Sequence, residues 1–337
     1  MNAPIRISDE VRAALADGRP VVALETAAVT HGLPRRPLDT EVPYLASTLA
    51  PDAVKRCFAP DVPAHLALGL ALSAAARTEG AVPATVGLLR GELVVGLDDD
   101  ELRELASVER PSKIAARDAA LVAARGGSGG TTVAGTLLAC GISGLPVFAT
   151  GGIGGVHRGY AERPDISADL LAIRDTGTLV VTAGAKSILD LPATVELLDT
   201  LGVPLVGLRT PYFPRFLADG DEGLRVTAEA RDEVESARLF AAHRAMQPSR
   251  GMLLCVPPPA DFALAPEIME RAISEGLAEC ARAGARGPEV TPILLAAVAR
   301  ASGGRSLATN IAVLIENARV GARVATELAQ TARRDSR

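Results

Sequence analysis

Short apolar runs rich in valine and leucine alternate along the chain with amphipathic segments, and this alternation constrains its fold most strongly. Examples of the runs are VVALE at 21–25, PVFAT at 146–150 and TLVVTAG at 178–184. Nearly continuous apolar character over a few residues is typical of strands buried on both faces of a sheet. Helical patterns lie between the runs, and Ser8 is placed to cap the first, at 8–17. The pattern therefore predicts an α/β fold with a central, largely parallel sheet flanked by helices.

The remaining segments fit the same architecture. Further strands are expected at 84–97, 203–209 and 252–257. The final third of the chain is mostly helical, so we expect it to cover one face or edge of the sheet. Neither an internal repeat nor a long linker divides the sequence, and 1–337 is predicted to form a single compact domain. Two less regular stretches, 33–60 and 211–226, have the length of loops that often act as lids or binding loops.

Composition argues against several classes of function. The net charge is -5 and aromatic residues make up 3% of the chain, with no tryptophan. Such a chain lacks the positive charge and the stacking platforms of a nucleic-acid binder. No apolar run reaches the ~20 residues of a membrane span, and the charged N-terminus shows no secretion signal, so we expect a soluble, cytoplasmic protein. The cysteines lack C-x-x-C spacing, which argues against a zinc site.

Polar residues recur where the predicted strands end. Glu25 ends VVALE, Thr150 ends PVFAT, and Lys186 follows TLVVTAG. Ligands of open α/β sheets bind outside the carboxyl ends of the strands, so these residues are candidates for one site. Small apolar neighbours and a following helix start both disfavour a charged Lys186, and a Schiff base requires the neutral amine. Glu25 is a candidate general acid or base. The ordinary alternatives are a surface lysine and an ion-paired or capping carboxylate.

Two glycine-rich stretches could bind an anion. GGSGGTTVAG at 126–135 opens a helix, where free backbone N–H groups attract negative charge, but it lacks the lysine of a Walker A loop. TGGIGGVHRG at 150–159 has His157 where a dinucleotide fingerprint has its third glycine. His157 and Arg158 could bind phosphate, or His157 could be structural. Lys113 could add a phosphate ligand, or it could belong to a solvated charged segment.

The segment RPDISADL brings Asp165, Ser167 and Asp169 to the start of a helix. Carboxylates there are commonly N-caps. Alternatively, one carboxylate holds a hard cation such as Mg²⁺ or Mn²⁺ while the other positions a substrate. Asn310 interrupts the apolar face of a later helix, and a buried asparagine needs a partner. That partner could be a ligand or a core hydrogen bond.

Eight segments together resemble the pseudouridine-5′-phosphate glycosidase family, also called indigoidine synthase A-like. They are ALETAAVTHGLP, GGTTVAGTL, VFATGGIGGVHRG, DISADL, the run from TAGAKSILDL to LGVPLVG, FPRF, EVTPILL and SLATNIAVLIENARVGA. The resemblance covers nearly the whole chain outside 33–79 and 219–250. It implies an enzyme that reversibly cleaves pseudouridine 5′-phosphate to uracil and ribose 5-phosphate, and that typically assembles as a homotrimer.

The same resemblance assigns roles to individual residues. It implies that Lys186 forms an imine with the sugar, that Glu25 donates the proton, and that Asp165 is associated with a divalent metal, Mn²⁺. Asn310 matches a contact on the side of the base. The implied contacts to the sugar phosphate are Lys113, Thr131, Thr132, Val133, Thr150, His157, Ser167, Ala168 and Asp169.

Departures from the family pattern are concentrated in a few loops. RRPLDT follows H-G-L-P where a tyrosine, prolines and an asparagine are usual, and 210–214 reads TPYFP in place of Thr-Asp-Glu-Phe-Pro. Ala116 replaces the first arginine of an Arg-Arg-Asp run. These differences favour, as an alternative, C-ribosylation of an aromatic polyketide with ribose 5-phosphate, as in the alnumycin branch of the family. A non-catalytic sugar-phosphate-binding protein is an alternative of another class.

Overall fold

The structure, a computed structural model, describes residues 4–38, 43–162, 164–285 and 290–335. The strands in these residues are β1 (Ile5–Ile7), β2 (Val21–Leu24), β3 (Val82–Leu89), β4 (Glu92–Val95), β5 (Ser112–Ile114), β6 (Gly129–Thr131), β7 (Val147–Ala149), β8 (Leu179–Thr182), β9 (Leu205–Leu208), β10 (Ala228–Ala230) and β11 (Met252–Cys255). The α-helices are α1 (Asp9–Ala16), α2 (Pro43–Thr48), α3 (Pro51–Cys57), α4 (Ala64–Thr78), α5 (Asp99–Ser107), α6 (Ala116–Ala124), α7 (Val133–Ser143), α8 (Asp169–Arg174), α9 (Leu191–Thr200), α10 (Glu233–Met246), α11 (Pro266–Ala283), α12 (Val290–Ala301) and α13 (Arg305–Asp335), and a π-helix spans Ala28–Gly32.

The strands form one sheet in the order β1-β4-β3-β2-β7-β8-β11-β9-β10, with β6 pairing beside β3 and β5 beside β6. All neighbours along this path are parallel except β3 and β4. The predicted α/β fold with a largely parallel sheet and a helical C-terminal third is therefore confirmed. Ser8 also caps α1 as predicted, since its Oγ accepts a hydrogen bond from Val11 N.

The segment 84–97 differs from the prediction of a single strand. It is a hairpin in which β3 and β4 pair antiparallel. Arg90 and Gly91 form the turn with φ of 50° and 81°. Two consecutive positive φ values are the geometry that joins two strands through two residues. The sequence pattern at 227–246 predicts one helix, but β10 occupies its start and α10 begins at Glu233.

Successive residues of each central strand enter opposite cores, which explains their continuous apolar character. Val22 and Leu24 of β2 belong to the core on one face of the sheet, which α4, α10 and α13 cover. Val21 and Ala23 belong to the core on the other face, to which α1, α7, α11 and α12 contribute. Both faces of the strand are therefore covered, as a parallel sheet requires. In the described parts of the chain no helix is long and apolar enough to cross a membrane.

The connections at β2 create a topological switch point. The chain leaves β2 for β3 through α4, which packs on one face of the sheet. It returns to the other side of β2 at β7 through α7, which packs on the opposite face. Crossovers that diverge in this way leave a crevice outside the carboxyl ends of the two strands, where open α/β sheets bind ligands.

Candidate functional site

Glu25 and Thr150 meet at the switch point. Glu25 directly follows β2 and Thr150 directly follows β7, two strands that pair in parallel. The Thr150 hydroxyl, which is buried, donates a hydrogen bond to Oε1 of Glu25. Both residues were predicted to lie at one edge of the sheet, and the strand order brings them into contact.

The surroundings of Glu25 favour its protonated form. Burial raises the pKa of the Glu25 carboxyl, and it outweighs the charge of Lys186 and the hydrogen bond from Thr150, which lower that pKa. The charge of Asp169 raises the pKa further, and Lys113 lowers it slightly. A carboxyl group with a raised pKa can deliver a proton near neutral pH, as a general acid must.

Lys186 lies beyond the end of β8, close enough to Glu25 for their charges to interact. Its backbone N–H donates to the carbonyl of Ile153 at 3.0 Å, which joins the loop after β8 to the loop after β7. The side chain is half-buried. A lysine and a carboxylic acid at the ends of β8 and β2, the two strands that flank β7, can act on the two carbons of one substrate bond.

Lys113, on β5, belongs to the same electrostatic cluster. Partial burial and then the charge of Lys186 lower the pKa of its ammonium, and Asp169 and Glu25 oppose this shift. Although its surroundings partly desolvate the ammonium, Lys113 keeps an exposed surface. The cluster therefore pairs two lysines with two carboxyl groups, and Lys113 has room to reach a second anion.

Asp169 is a clamp between two backbone segments. The Asp169 side chain is buried, its Oδ1 accepts from Ala134 N at 3.0 Å and its Oδ2 accepts from Gly154 N at 2.8 Å. Ala134 is in the first turn of α7, and Gly154 belongs to the glycine-rich loop after β7. The carboxylate therefore fixes the glycine loop against the start of α7.

The side chains of residues 131–133 make hydrogen bonds or packing contacts within the protein. The Thr131 hydroxyl donates to Val86 O at 2.8 Å, and Thr132 caps α7 by accepting from Gly135 N at 3.3 Å. Val133 is the first residue of α7, and its side chain is buried. Its backbone N–H has no acceptor among the residues that the structure describes. What this segment offers a ligand is therefore the backbone at a helix start, which favours an anion.

The remaining predicted contacts border this clamp. Ser167 Oγ accepts from Asp169 N at 3.2 Å, and Ala168 beside it is exposed. His157 is half-buried, and its backbone N–H donates to Asp165 O at 3.0 Å. The structure thus brings the DISADL segment and the HRG segment together on the rim of the site.

Asp165 is the predicted metal ligand, and its carboxylate is 49% exposed. His157 Nδ1 lies 3.9 Å from Asp165 Oδ2. In the described ranges, no three His, Cys, Asp or Glu side chains cluster to hold a metal ion. A single exposed carboxylate fits Mg²⁺ or Mn²⁺ that keeps most of its water, and it does not fit a closed protein cage.

Asn310 lies on α13, past the carboxyl edge of the sheet. Further along this helix, Gly321 packs against Val22 and Ala149, in the strands themselves. Asn317 bonds the carbonyl of Thr150, at the end of β7. Asn310 is about two helical turns beyond Asn317, or roughly 10 Å. Asn310 is half-buried, and the direction of the helix carries it beyond the carboxyl ends of the strands, the edge of the sheet at which Glu25 also lies.

Two further residues of this neighbourhood, Asn317 and His31, were not predicted from the sequence. Asn317 is 1% exposed and shares the helix face of Asn310, a spacing of seven that could have indicated it. His31 lies between the Thr30 hydroxyl and the carbonyl of Pro111, to which its Nδ1 and Nε2 come within 2.7 and 3.2 Å. Nothing in the local pattern predicts that partner, which is eighty residues away.

Comparison with known proteins finds relatives over nearly the whole chain. Residues 59–327 match the family described as indigoidine synthase A like protein. The pseudouridine-5′-phosphate glycosidases of Chloroflexus aurantiacus and Herpetosiphon aurantiacus are 44% and 42% identical. Those alignments cover 97% and 96% of this chain and 99% and 98% of the two relatives.

Two solved structures share the fold. The prealnumycin C-glycosynthase AlnA in complex with ribulose 5-phosphate is 36% identical, with a TM-score of 0.83 over 99% of this chain and 100% of that chain. An indigoidine synthase A-like protein from Thermotoga maritima is 28% identical, with a TM-score of 0.77 over 98% of both chains.

Proposed function

The chain belongs to the indigoidine synthase A-like family, and from this premise we propose that it is a C-glycosidase acting on pseudouridine 5′-phosphate. The reaction interconverts that nucleotide with uracil and ribose 5-phosphate. The observation that carries the proposal is the convergence of Glu25 and Lys186 at the switch point, where burial raises the pKa of the Glu25 carboxyl. Relatives that share more than 40% identity over nearly the full length support the same activity.

Lys186 is the proposed nucleophile. Its neutral Nζ bonds to C1 of the sugar as the bond between C1 and the ring oxygen breaks, and the proton that the new ammonium loses goes to the released ring oxygen, which becomes a hydroxyl. The nitrogen lone pair then forms the C=N bond of an imine while the C–C bond to the base breaks. Water hydrolyses the imine, which returns the amine and releases ribose 5-phosphate.

Glu25 completes the proton balance. A C-glycoside has no heteroatom leaving group, so the electron pair of the broken C–C bond must be taken up by a proton at the base carbon. The protonated Glu25 carboxyl delivers that proton, and in the reverse direction the carboxylate removes it. The raised pKa keeps the acid form available for cleavage.

The sugar phosphate is held by groups around the α7 start. Lys113, His157 and the backbone N–H of Val133 border the clamp formed by Asp169. A charge-assisted hydrogen bond typically contributes ~1.5–3 kcal/mol, so the phosphate is expected to dominate recognition of the sugar. Thr132, Ser167, Ala168 and Asp169 shape this pocket, and Asn310 is the proposed contact to the base.

A hydrated Mn²⁺ is the proposed metal, held by the exposed carboxylate of Asp165. A divalent cation there supplies positive charge near the bound sugar phosphate. We further propose that the protein works in the cytoplasm as a homotrimer, the assembly typical of its family. Size-exclusion chromatography with light scattering measures the assembly directly.

A second candidate function is C-ribosylation of an aromatic acceptor with ribose 5-phosphate. A cavity of about 290 Å³ supports it, lined by Tyr44, Leu208, Arg209, Val256, Pro257, Pro259 and Glu316. Tyr44 belongs to the irregular stretch 33–60, and Arg209 directly precedes the divergent loop 210–217. The structural similarity to a C-glycosynthase adds support.

The test is a substrate screen combined with borohydride trapping. The wild-type protein is incubated with pseudouridine 5′-phosphate, and separately with ribose 5-phosphate plus uracil or an aromatic polyphenol. We expect borohydride to trap ribose 5-phosphate on Lys186, as located by peptide mass spectrometry, and Lys186→Ala and Lys186→Arg to abolish the adduct. Ribose without phosphate should be trapped far less. An adduct on another lysine would contradict the mechanism, and binding without any adduct would indicate a binding protein.

A further inference from the structure

Asn317 is buried in α13 and is aimed at the end of β7. Its Nδ2 donates to Thr150 O at 2.6 Å, with a longer contact of 3.3 Å to Gly151 O. Gly151 O already accepts from Ala183 N at 2.8 Å, so Thr150 O is the acceptor that depends on Asn317. The helix can approach because Gly321, one turn further on, lies against Val22 and Ala149.

Thr150 is thereby fixed at three points. Its N–H donates to Val181 O at 2.9 Å, its carbonyl accepts from Asn317, and its hydroxyl donates to Oε1 of Glu25. Within the described ranges, no other residue donates a hydrogen bond to the Glu25 carboxylate. Oε1 is therefore occupied, and Oε2 is left to carry the proton towards a substrate.

We propose that Asn317 is a positioning residue for Glu25, which it holds indirectly by fixing the backbone of Thr150. The hydroxyl of Thr150 stays hydrogen-bonded to Oε1 of Glu25, and this bond fixes the orientation of Oε2 in the site. The importance of this arrangement for turnover rests on the proposed function, but the arrangement itself does not. Asn317 touches no reacting atom.

The ionisation of Glu25 gives a readout that does not require activity. The hydrogen bond from Thr150 lowers the pKa of Glu25, against the larger effect of burial. If Asn317 maintains that bond, Asn317→Leu should raise the pKa of Glu25 in the same direction as Thr150→Val. The charges facing Glu25 that remain in both variants are those of Lys186, Asp169 and Lys113. Carboxyl ¹³C NMR of glutamate-labelled protein, assigned with Glu25→Gln, measures this titration.

A double-mutant cycle tests whether Asn317 acts on Glu25 through Thr150. Asn317→Leu and Thr150→Val should each shift the titration, and the double variant should shift it no further than Thr150→Val alone, because both act through one hydrogen bond. Thr150→Ser, which keeps the hydroxyl, should titrate like the wild type. Thr326→Val is the matched control, since Thr326 lies on the same helix and bonds to Ala322 and Glu79.

Kinetics extend the test to the reaction. In Asn317→Leu the borohydride adduct at Lys186 should form as in the wild type, while turnover falls by up to about 10²-fold. Asn317→Ser, with a smaller side chain that admits water, serves if the leucine variant fails to fold. A Glu25 titration unchanged in a folded Asn317 variant, or additive shifts in the cycle, would overturn the proposal. Wild-type protein without turnover or adduct would instead overturn the proposed function.

Discussion

At the scale of single residues, burial and proton chemistry act on Glu25 in the same direction. Burial penalises its charged form, and that penalty also keeps a proton available for delivery. The cost falls on stability. A carboxyl whose pKa is raised by folding contributes stability below its unfolded pKa, and this contribution is lost as the pH rises through the folded pKa. The protonated form of Glu25 that cleavage requires is therefore also the form that costs the folded state least.

Glu25→Gln separates the two effects. The amide keeps the size of the side chain but cannot exchange the catalytic proton, so turnover should fall on the order of 10²–10⁴-fold. The Lys186 adduct with ribose 5-phosphate should still form. Above the raised pKa of Glu25 the variant should be more thermally stable than the wild type, because no charge is buried. Steady-state kinetics, trapping and thermal denaturation at several pH values measure these outcomes, and near-normal turnover would remove Glu25 from the mechanism.

The wild-type pH profile follows from the same shift. Cleavage needs protonated Glu25, so kcat/KM should decline as the pH rises through its raised pKa. Thr150→Val removes a hydrogen bond that lowers this pKa, and should move the decline to higher pH. A decline at the pH of an ordinary carboxyl group would contradict the assignment.

At the scale of elements, the glycine loop after β7 is shaped by what lies against it. A Cβ on Gly154 would lie 2.2 Å from Ser167 Oγ and 2.8 Å from Asp169 Oδ2. The Gly154 N–H could then no longer reach Asp169 without a shift of the loop. The absence of a side chain at 154 is therefore a condition of the clamp that joins the loop to α7.

Gly154→Ala should consequently weaken both packing and sugar binding. Overpacking of this kind costs about 1–3 kcal/mol in the free energy of unfolding, and the displaced Asp169 should raise KM. Gly141→Ala is the matched control, because a Cβ there meets only Thr176 Cγ2, at 3.7 Å. Urea denaturation and steady-state kinetics compare the two. Equal stability and equal KM in both variants would show that Asp169 does not depend on this close approach.

At the scale of the whole molecule, the sugar side and the cavity beside it lie over different strands. Glu25, Thr150 and Lys186 follow β2, β7 and β8, whereas the cavity lies at the ends of β9 and β11. Tyr44 lines this cavity, donates to Glu316 and meets Phe262 edge-on, with ring centroids 5.3 Å apart. The apolar part of the lining, Leu208, Val256, Pro257 and Pro259, discriminates weakly among flat ligands, unlike a site built to hydrogen-bond a nucleobase.

Under the second candidate function, the divergent segments 33–60 and 210–217 should favour an aglycone larger and less polar than uracil. The protein should then turn over pseudouridine 5′-phosphate slowly and accept a flat aromatic polyphenol. Tyr44→Ala should reduce activity with the polyphenol and leave trapping of ribose 5-phosphate unchanged. A kcat/KM for pseudouridine 5′-phosphate of about 10⁴ M⁻¹s⁻¹ or more would contradict a changed aglycone specificity.

The sequence by itself determined the fold class and the candidate residues. Apolar runs such as VVALE and TLVVTAG indicated strands covered on both faces, because no strand with a solvent face could carry them. The polar residue at each strand end, together with the family motifs, indicated Glu25, Thr150 and Lys186. These are local properties, and local patterns are what a sequence displays directly.

The tertiary structure alone decided which of these groups touch. β2 pairs with β7, 125 residues separate Glu25 from Thr150, and 167 separate Thr150 from Asn317. Contacts at such separations depend on strand order and on the face of the sheet that each crossover helix covers. The local hydrophobic periodicity of the sequence indicates neither. The hairpin at 84–97 was mispredicted because a two-residue turn interrupts an otherwise continuous apolar run. The route from Asn317 through Thr150 to Glu25 exists only once α13 is packed across the end of β7.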